Sequence, residues 1–202
     1  MTEKEDRPEQ AARLFKADSD WWHNACINFS GVDFEAYATG YKRAADFLVE
    51  RASQEQRYQD TLVYPIAFLY RQYIELRLKQ IVRRGKILLE ITDGQDIQHH
   101  NLGPLWKTCR QIMEKISQNE DPVHFDEAEN IVIEFGDIDS SSTAFRYPTD
   151  KEGNPSLPGL THINLRILAE AIEKVSVLLD GAVLEIGLRL DQKSEMEADF
   201  GF

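Results

Sequence analysis

Apolar residues recur every three or four positions over most of the chain, which is the spacing of an α-helix that buries one face. The pattern predicts helices over about 33–57, 62–84, 101–118 and 161–190, with a shorter one over 122–136. No segment shows the alternation of apolar and polar residues that is typical of strands in a hairpin. We therefore predict an all-α protein, an up-down bundle of four main helices plus an N-terminal helical element.

The ends of these helices are predicted from residues that cap or interrupt helical structure. Asp60 or Thr61 is expected to cap the second helix, and Gly85 is expected to end it. Gly136 is expected to close the fourth helix, and Thr161 is expected to cap the last one.

The helix over 62–84 is apolar around most of its circumference. Two adjacent stripes of large side chains run along it: Leu62, Ile66, Leu69, Tyr73 and Leu76 form one, and Val63, Ala67, Tyr70, Ile74, Leu78 and Ile81 form the other. A helix with so wide an apolar surface belongs either in the middle of a bundle or against a second subunit.

The chain is expected to form a single domain over 1–202, since a split would leave two thin cores. Residues 1–19 are predicted to be a polar arm or a short helix, and 191–202 an acidic tail. Residues 137–160 hold several prolines, glycines and serines and are predicted to be a loop. Loops of this length in compact domains are usually functional or disordered.

Composition indicates the cellular location of the protein. The two cysteines form no CxxC pair, the N-terminus has no apolar leader, and no apolar run is long enough to span a bilayer. We therefore expect a cytoplasmic protein with no membrane partner.

The net charge of −12 opposes broad, non-specific binding of nucleic acid. Residues 71–86 are locally basic, however, and form either a strip for an anionic partner or a solvated helix face balanced by nearby acids.

Two segments resemble the core pattern of the HEPN superfamily. Residues 73–79, Tyr-Ile-Glu-Leu-Arg-Leu-Lys, are similar to the family's Tyr-x-x-Glu-Leu-x-Leu-Lys, with one residue fewer between Tyr and Glu. Residues 100–105, His-Asn-Leu-Gly-Pro-Leu, are similar to its His-Asp-Leu-x-x-Leu, with Asn in place of Asp. The resemblance covers about 60–118, and the helix over 161–190 is compatible with the family's last helix.

The resemblance implies a homodimer, often a metal-independent ribonuclease in toxin, antiphage or RNA-processing settings. Other members are non-catalytic nucleotide- or protein-binding modules. Catalytic members carry Arg followed four to six residues later by His near the start of the last helix. This chain has no such spacing and instead has the reverse order, His162 then Arg166.

Cleavage of RNA without a metal needs a base for the 2′-hydroxyl and a cation for the charged phosphorane. His162 and Arg166 are expected to supply that pair, one turn apart on one face of the last helix. The alternative is that His162 occupies the first turn for steric or hydrogen-bonding reasons.

Arg146 is the third catalytic candidate because it lies between two aromatic residues in the long loop. It could bind phosphate or stack on a base, as Arg does in single-strand recognition. In the alternative, Phe145 and Tyr147 attach the loop to the bundle while Arg146 pairs with an acid such as Glu75.

Arg71, Glu75, Lys79 and His100 are the candidate ligand-binding residues. The first three are spaced four residues apart, which is typical of a surface ladder of ion pairs. If that face is partly buried, they become instead a polar centre that faces His100 and the loop. His99 and His100 have no ligand partner at a suitable spacing, so we expect no metal and no cofactor.

Three hypotheses follow. The first is a HEPN-like homodimer with an RNA-related role, whose specific form would be a metal-independent endoribonuclease in a toxin or antiphage setting. The second is a non-catalytic, dimeric HEPN-like module that binds a protein partner or a ligand. The third is a helical bundle unrelated to the family.

Overall fold

The computed structural model describes residues 14–27, 33–92, 99–117 and 121–200. The chain divides into two compact units, Met1–Val32 and Asp33–Phe202. In the first unit Trp21–His23 form one 3-10 turn, and the His23 imidazole binds the carboxylate of Asp20, the residue before the turn. The predicted N-terminal element over 1–19 falls mostly outside the described residues.

The second unit is an α-helical bundle, so the predicted all-α fold is confirmed. Its helices in the described part of the chain are α1 (Glu35–Gln54), α2 (Gln59–Leu88), α3 (Leu102–Ile116), α4 (Pro122–Ile138) and α5 (Leu165–Phe200). The β structure among the described residues is a single isolated bridge between Thr149 and Pro155. None of the described helices is long and apolar enough to cross a membrane.

Helix α2 lies in the middle of this bundle and packs against α1, α3 and α5. Both of its predicted apolar stripes contribute to the core, and the side chains of Ile66, Tyr70, Tyr73, Ile74, Leu78 and Ile81 are fully buried. The wide apolar surface of α2 is therefore covered within one subunit, which is the first of the two alternatives that the sequence offered.

Helices α1 and α2 form an antiparallel hairpin. Ala38, Ala45 and Ala52 recur every seventh position on α1 and are all buried, so small side chains face α2 along its length. Polar contacts show that the two helices run in opposite directions. Glu35 at the start of α1 binds Arg77 of α2. Asp46, later on α1, binds Tyr70, which comes earlier on α2.

The other helices do not alternate strictly in direction. Helix α3 runs in the same direction as α2. Glu75 of α2 contacts His100, just before α3, and the later Gly85 of α2 lies beside Ile112, near the end of α3. Helix α4 is antiparallel to α3, because its late Gly136 lies beside Leu102. Helix α5 runs in the same direction as α2, since its Asp180 accepts from Tyr73 and its later Gly187 lies beside Arg84.

The predicted limits of α2 were wrong at both ends. The helix begins at Gln59, directly after a 3-10 turn over Gln56–Tyr58, so Asp60 and Thr61 lie inside it and do not cap it. It also continues through Gly85 to Leu88. Glycine is needed at position 85 for packing, since a Cβ there would lie 2.3 Å from Cγ2 of Ile112.

Two further helix ends differ from the prediction. Gly136 lies inside α4, which ends at Ile138. Helix α5 begins at Leu165 and not after Thr161, because Asn164 Oδ1 accepts from the amides of Arg166 and Ile167. It extends to Phe200, so most of the predicted acidic tail is helical.

We predict that Gly85→Ala destabilises the bundle although Ala is the better helix former. The added methyl would collide with a branched carbon of Ile112, and overpacking of this kind costs about 1–3 kcal/mol. Gly40→Ala in α1 is the matched control, since nothing lies within 4 Å of its Cβ position. It should gain about 0.5–1 kcal/mol from helix propensity. Urea unfolding of the two variants checks this, and equal stability changes would refute the packing role of Gly85.

Candidate functional site

Arg71, Glu75 and Lys79 lie on one face of α2, and that face is buried. Their exposed fractions are 0%, 2% and 7%, respectively. Buried charges are tolerated when each is paired and hydrogen-bonded. The structure therefore has the buried polar centre that the sequence offered as one alternative, and not the surface ladder of ion pairs.

The guanidinium of Arg71 donates to three different segments. Nη1 donates to Glu75 Oε2 at 2.8 Å, one turn along α2. Nε donates to the backbone carbonyl of Asp139, which follows α4, at 2.9 Å. Nη2 donates to the backbone carbonyl of His100, which precedes α3, at 2.8 Å. One side chain thus connects the middle of the bundle to the ends of two other helices.

Both carboxylate oxygens of Glu75 have partners. Besides the bond from Arg71, its Oε1 accepts from Lys79 Nζ at 2.8 Å and lies 2.8 Å from Nδ1 of His100. Burial raises the pKa of Glu75, but the hydrogen bonds from Lys79, Arg71 and His100 outweigh it, and the pKa is lowered overall. Glu75 is therefore an anion at neutral pH.

His100 is the part of this centre that reaches the surface. Its side chain is 61% exposed, whereas Glu75 behind it is 2% exposed. Nδ1 points to Glu75, and no described residue is bonded to Nε2. The next residue, Asn101, caps α3 by accepting from the amide of Gly103, which fixes the backbone at this point.

Asp139 completes the centre and was missed by the sequence analysis. It is 1% exposed, and its Oδ1 accepts from the amides of Thr143 and Ala144 at 2.7 and 3.0 Å. Its Oδ2 lies 3.5 Å from Arg71 Nε and has no hydrogen-bond partner among the described residues. The sequence signal that could have identified Asp139 is its position, directly after an apolar helix and just before Ser and Thr residues.

Arg146 lies in the loop that Asp139 organises. Its Nε donates to the carbonyl of Ser142 at 2.7 Å, and Ser142 accepts through its hydroxyl from Gln72 on α2. The guanidinium lies 5.6 Å from the ring centre of Phe68 and 5.5 Å from that of Tyr147, within cation–π range. No carboxylate partner of Arg146 exists among the described residues, so the predicted pairing with an acid such as Glu75 is absent there.

Beside Arg146 lies an open cavity of about 620 Å³. We call it the Arg146 groove; its lining includes Tyr64, Arg146, Tyr147 and Ser156 together with prolines and apolar residues. Tyr64 and Tyr147 are 50% and 56% exposed. Arg146 is the only charged residue in the lining, and no Asp or Glu takes part in it.

His162 and Arg166 do not lie on one face of the last helix, although the sequence predicted that they would. His162 precedes α5, is exposed, and its Nδ1 lies 3.1 Å from the hydroxyl of Thr161. Arg166 lies in the first turn of α5 and pairs with Glu170 at 2.7 Å. Because α5 begins later than expected, the two residues do not share a helical face.

His162 nevertheless lies near the Arg146 groove. It lines a second cavity of about 270 Å³ between α4, the loop and α5. Phe145 and Leu160 line both cavities, so the two cavities adjoin, but His162 and Arg146 line different ones.

The predicted basic strip over 71–86 is not a continuous surface. Its members Arg71, Arg77 and Lys79 are buried and paired with acids. Arg77 binds both oxygens of Glu35 and lowers the pKa of that carboxyl to about 2. Its Nε lies 2.8 Å from Asp180 of α5 but without hydrogen-bond geometry. These pairs join α1, α2 and α5 and leave less cationic surface than the sequence suggests.

Among the described residues, no three His, Cys, Asp or Glu side chains are grouped so that they could hold a metal ion. The chain matches no protein-family model, and the searches of curated proteins and of solved structures found no match either.

Proposed function

We propose that the chain is a HEPN-like protein with an RNA-related role and that it binds unpaired RNA at the Arg146 groove. One observation carries the proposal. On a chain of net charge −12, this groove combines one arginine with two exposed tyrosines and contains no carboxylate. An acid-free surface of this kind is where an anionic ligand meets the least repulsion on the protein.

The side chains suit the two parts of a nucleotide. Bases stack on aromatic rings, and each stacked base contributes about 1–3 kcal/mol to single-strand binding. Tyr64 and Tyr147 offer such rings, while the Nη1 and Nη2 groups of Arg146, which have no partner among the described residues, can donate to a phosphate. A base in a duplex is already stacked, so we propose that the RNA is single-stranded.

The loop around Arg146 is held in shape, which lowers the entropic cost of binding. Asp139 binds the amides of Thr143 and Ala144, and Asp150 binds the amide of Asn154 at 2.8 Å. The bridge between Thr149 and Pro155 closes the far end of the loop.

The sequence-based catalytic set of His162, Arg166 and Arg146 gains no support from the geometry, because Arg166 is paired with Glu170 and His162 lines a different cavity from Arg146. RNA binding therefore has better support than cleavage by those three residues. The cytoplasmic location and the toxin or antiphage setting remain predictions from the sequence and its resemblance.

We predict that Arg146→Ala weakens binding of a fluorescent single-stranded oligoribonucleotide about tenfold, as loss of one stacked, phosphate-facing group should. The dependence of log affinity on log salt should flatten by about 0.7, the value for one phosphate contact on a single strand. Fluorescence anisotropy at several salt concentrations measures both.

Arg57→Ala is the matched control for this experiment. Arg57 also lies over a tyrosine ring, at 4.6 Å from that of Tyr58, but it is bonded to Glu55 and lies outside the groove. It should leave affinity unchanged. Equal binding of RNA by the Arg146→Ala variant and the wild-type protein would refute the proposed site, and equal affinity for a duplex of the same sequence would refute the preference for unpaired RNA.

A dimeric interaction module is the second candidate function, and the surface of α5 favours it. Val177, Leu184 and Leu188 are exposed, and with Gly181 they recur at alternating four- and three-residue spacing. That spacing is typical of a helix that pairs with another helix, and Gly181 would let the two backbones approach. We propose that this stripe pairs with the same stripe of a second copy about a two-fold axis.

We predict that the wild-type protein has about twice the chain mass of 23.3 kDa in solution and that Leu184→Asp reduces it to the mass of one chain. A charge in the middle of an apolar interface is costly because it loses its water. Phe47→Asp, at an exposed apolar residue of α1, is the control and should remain dimeric. Light scattering coupled to size exclusion measures the mass. A wild-type monomer, or a dimer that survives Leu184→Asp, would contradict the proposed interface.

A further inference from the structure

We propose that a guanine base of the bound RNA enters the cavity of about 270 Å³ between α4, the loop and α5, and that Glu134 of α4 selects this base. We call this space the His162 cavity, after one residue of its lining. The site rests on the proposed binding of RNA at the Arg146 groove and gives that binding a sequence preference.

The His162 cavity directly adjoins the Arg146 groove. Phe145 and Leu160 line both spaces, so a strand whose phosphate is bound by Arg146 has a neighbouring cavity for one of its bases. Sites for drug-sized ligands usually have volumes of about 300–1,000 Å³. At about 270 Å³, the His162 cavity is close to the lower end of that range and suits a single flat ring system.

Most of the lining suits the face of a base. Apolar side chains predominate, and Phe135 and Phe145 contribute aromatic rings. Both phenylalanines are nearly buried, at 7% and 6% exposed, so packing holds their rings in place. An unpaired base stacks on rings of this kind and is then read by hydrogen bonds to its edge.

Glu134 supplies the acceptors for that edge. It is an exposed residue of α4 that lines the His162 cavity, and no described residue is hydrogen-bonded to its carboxylate. A carboxylate accepts hydrogen bonds through two oxygens. Guanine is the common base with two adjacent donors, N1–H and the 2-amino group, on its Watson–Crick edge. It can therefore bind both oxygens of Glu134 side by side, whereas adenine, cytosine and uracil cannot.

Asn164 supplies a donor for the same edge. Its Oδ1 accepts from the amides of Arg166 and Ile167 at the start of α5, which fixes the orientation of the side-chain amide. Nδ2 is the donor on the other side of that amide, and no described residue accepts a hydrogen bond from it. Asn164 also lines the His162 cavity, where Nδ2 can donate to O6 of guanine.

The two adjoining spaces differ in charge as the two parts of a nucleotide do. The Arg146 groove has an arginine and no carboxylate in its lining, which favours phosphate. The His162 cavity has the Glu134 carboxylate, which repels phosphate and attracts N–H groups. A nucleotide therefore binds in one orientation, with its phosphate at Arg146 and its base at Glu134.

The test is fluorescence anisotropy of the full-length protein with labelled oligouridylate strands that carry guanosine, inosine or adenosine at the same central position. Inosine differs from guanosine only by loss of the 2-amino group. We expect the guanosine strand to bind about tenfold more tightly than the other two, which is the discrimination of one bidentate contact to a base. In Glu134→Gln the side chain has a single acceptor oxygen, so the preference should fall to about twofold or less.

Glu127→Gln is the matched control, because Glu127 is also an exposed glutamate of α4 but lines a different cavity. This variant should keep the preference for guanosine. Arg146→Ala should weaken binding of the three strands by the same factor and leave their ratio unchanged, since it removes a contact to phosphate and not to the base.

Equal affinity of the wild-type protein for the guanosine and inosine strands, or tighter binding of the adenosine strand, would overturn the guanine site. A preference for guanosine that survives Glu134→Gln would overturn it as well. Any of these results, with binding that still depends on Arg146, would leave the proposed function standing. Absence of Arg146-dependent binding would overturn the proposed function and the guanine site together.

Discussion

The buried guanidinium of Arg71 is the interaction on which the arrangement of this end of the bundle depends. A fully buried charge is tolerated only when its donors meet acceptors, and Arg71 finds them on Glu75, His100 and Asp139. Two of these acceptors are backbone carbonyls at helix ends, so the arginine determines where α3 begins and where α4 stops relative to α2. Removal of one partner of a buried pair typically costs about 3–5 kcal/mol, which makes the centre a strong constraint.

The fold could be predicted from the sequence because long amphipathic helices carry a repeating signal. All five α-helices of the bundle were expected, and the wide apolar surface of 62–84 indicated a helix at its middle. The helix ends were harder to predict because packing and local hydrogen bonds decide them. Gly85 looks like a stop but is needed for contact with Ile112, and Asn164 replaces Thr161 as the cap of α5 because its side chain reaches the free amides.

The candidate site was predicted only where its residues share one helix. The spacing of Arg71, Glu75 and Lys79 indicated a common face, and the neighbouring His100 was expected beside it. The prediction that His162 and Arg166 share one helical face was wrong because it assumed an earlier helix start, whereas α5 begins at Leu165. Asp139 and the acid-free lining of the Arg146 groove depend on contacts between distant segments, which no local pattern contains. The proposed RNA-binding groove therefore comes from tertiary structure and not from a local sequence pattern.

The most direct test of the central role of Arg71 is hydrogen exchange in the Arg71→Lys variant. Lysine keeps a charge beside Glu75, but its three N–H donors lie on one atom and cannot span the three acceptors that Arg71 reaches from three separate nitrogens. We expect the amides of Thr143 and Ala144, which Asp139 holds, to lose protection, while the amide of Asn154, held by Asp150 in the same loop, keeps it. Unchanged protection of Thr143 and Ala144 in a folded Arg71→Lys protein would contradict the account.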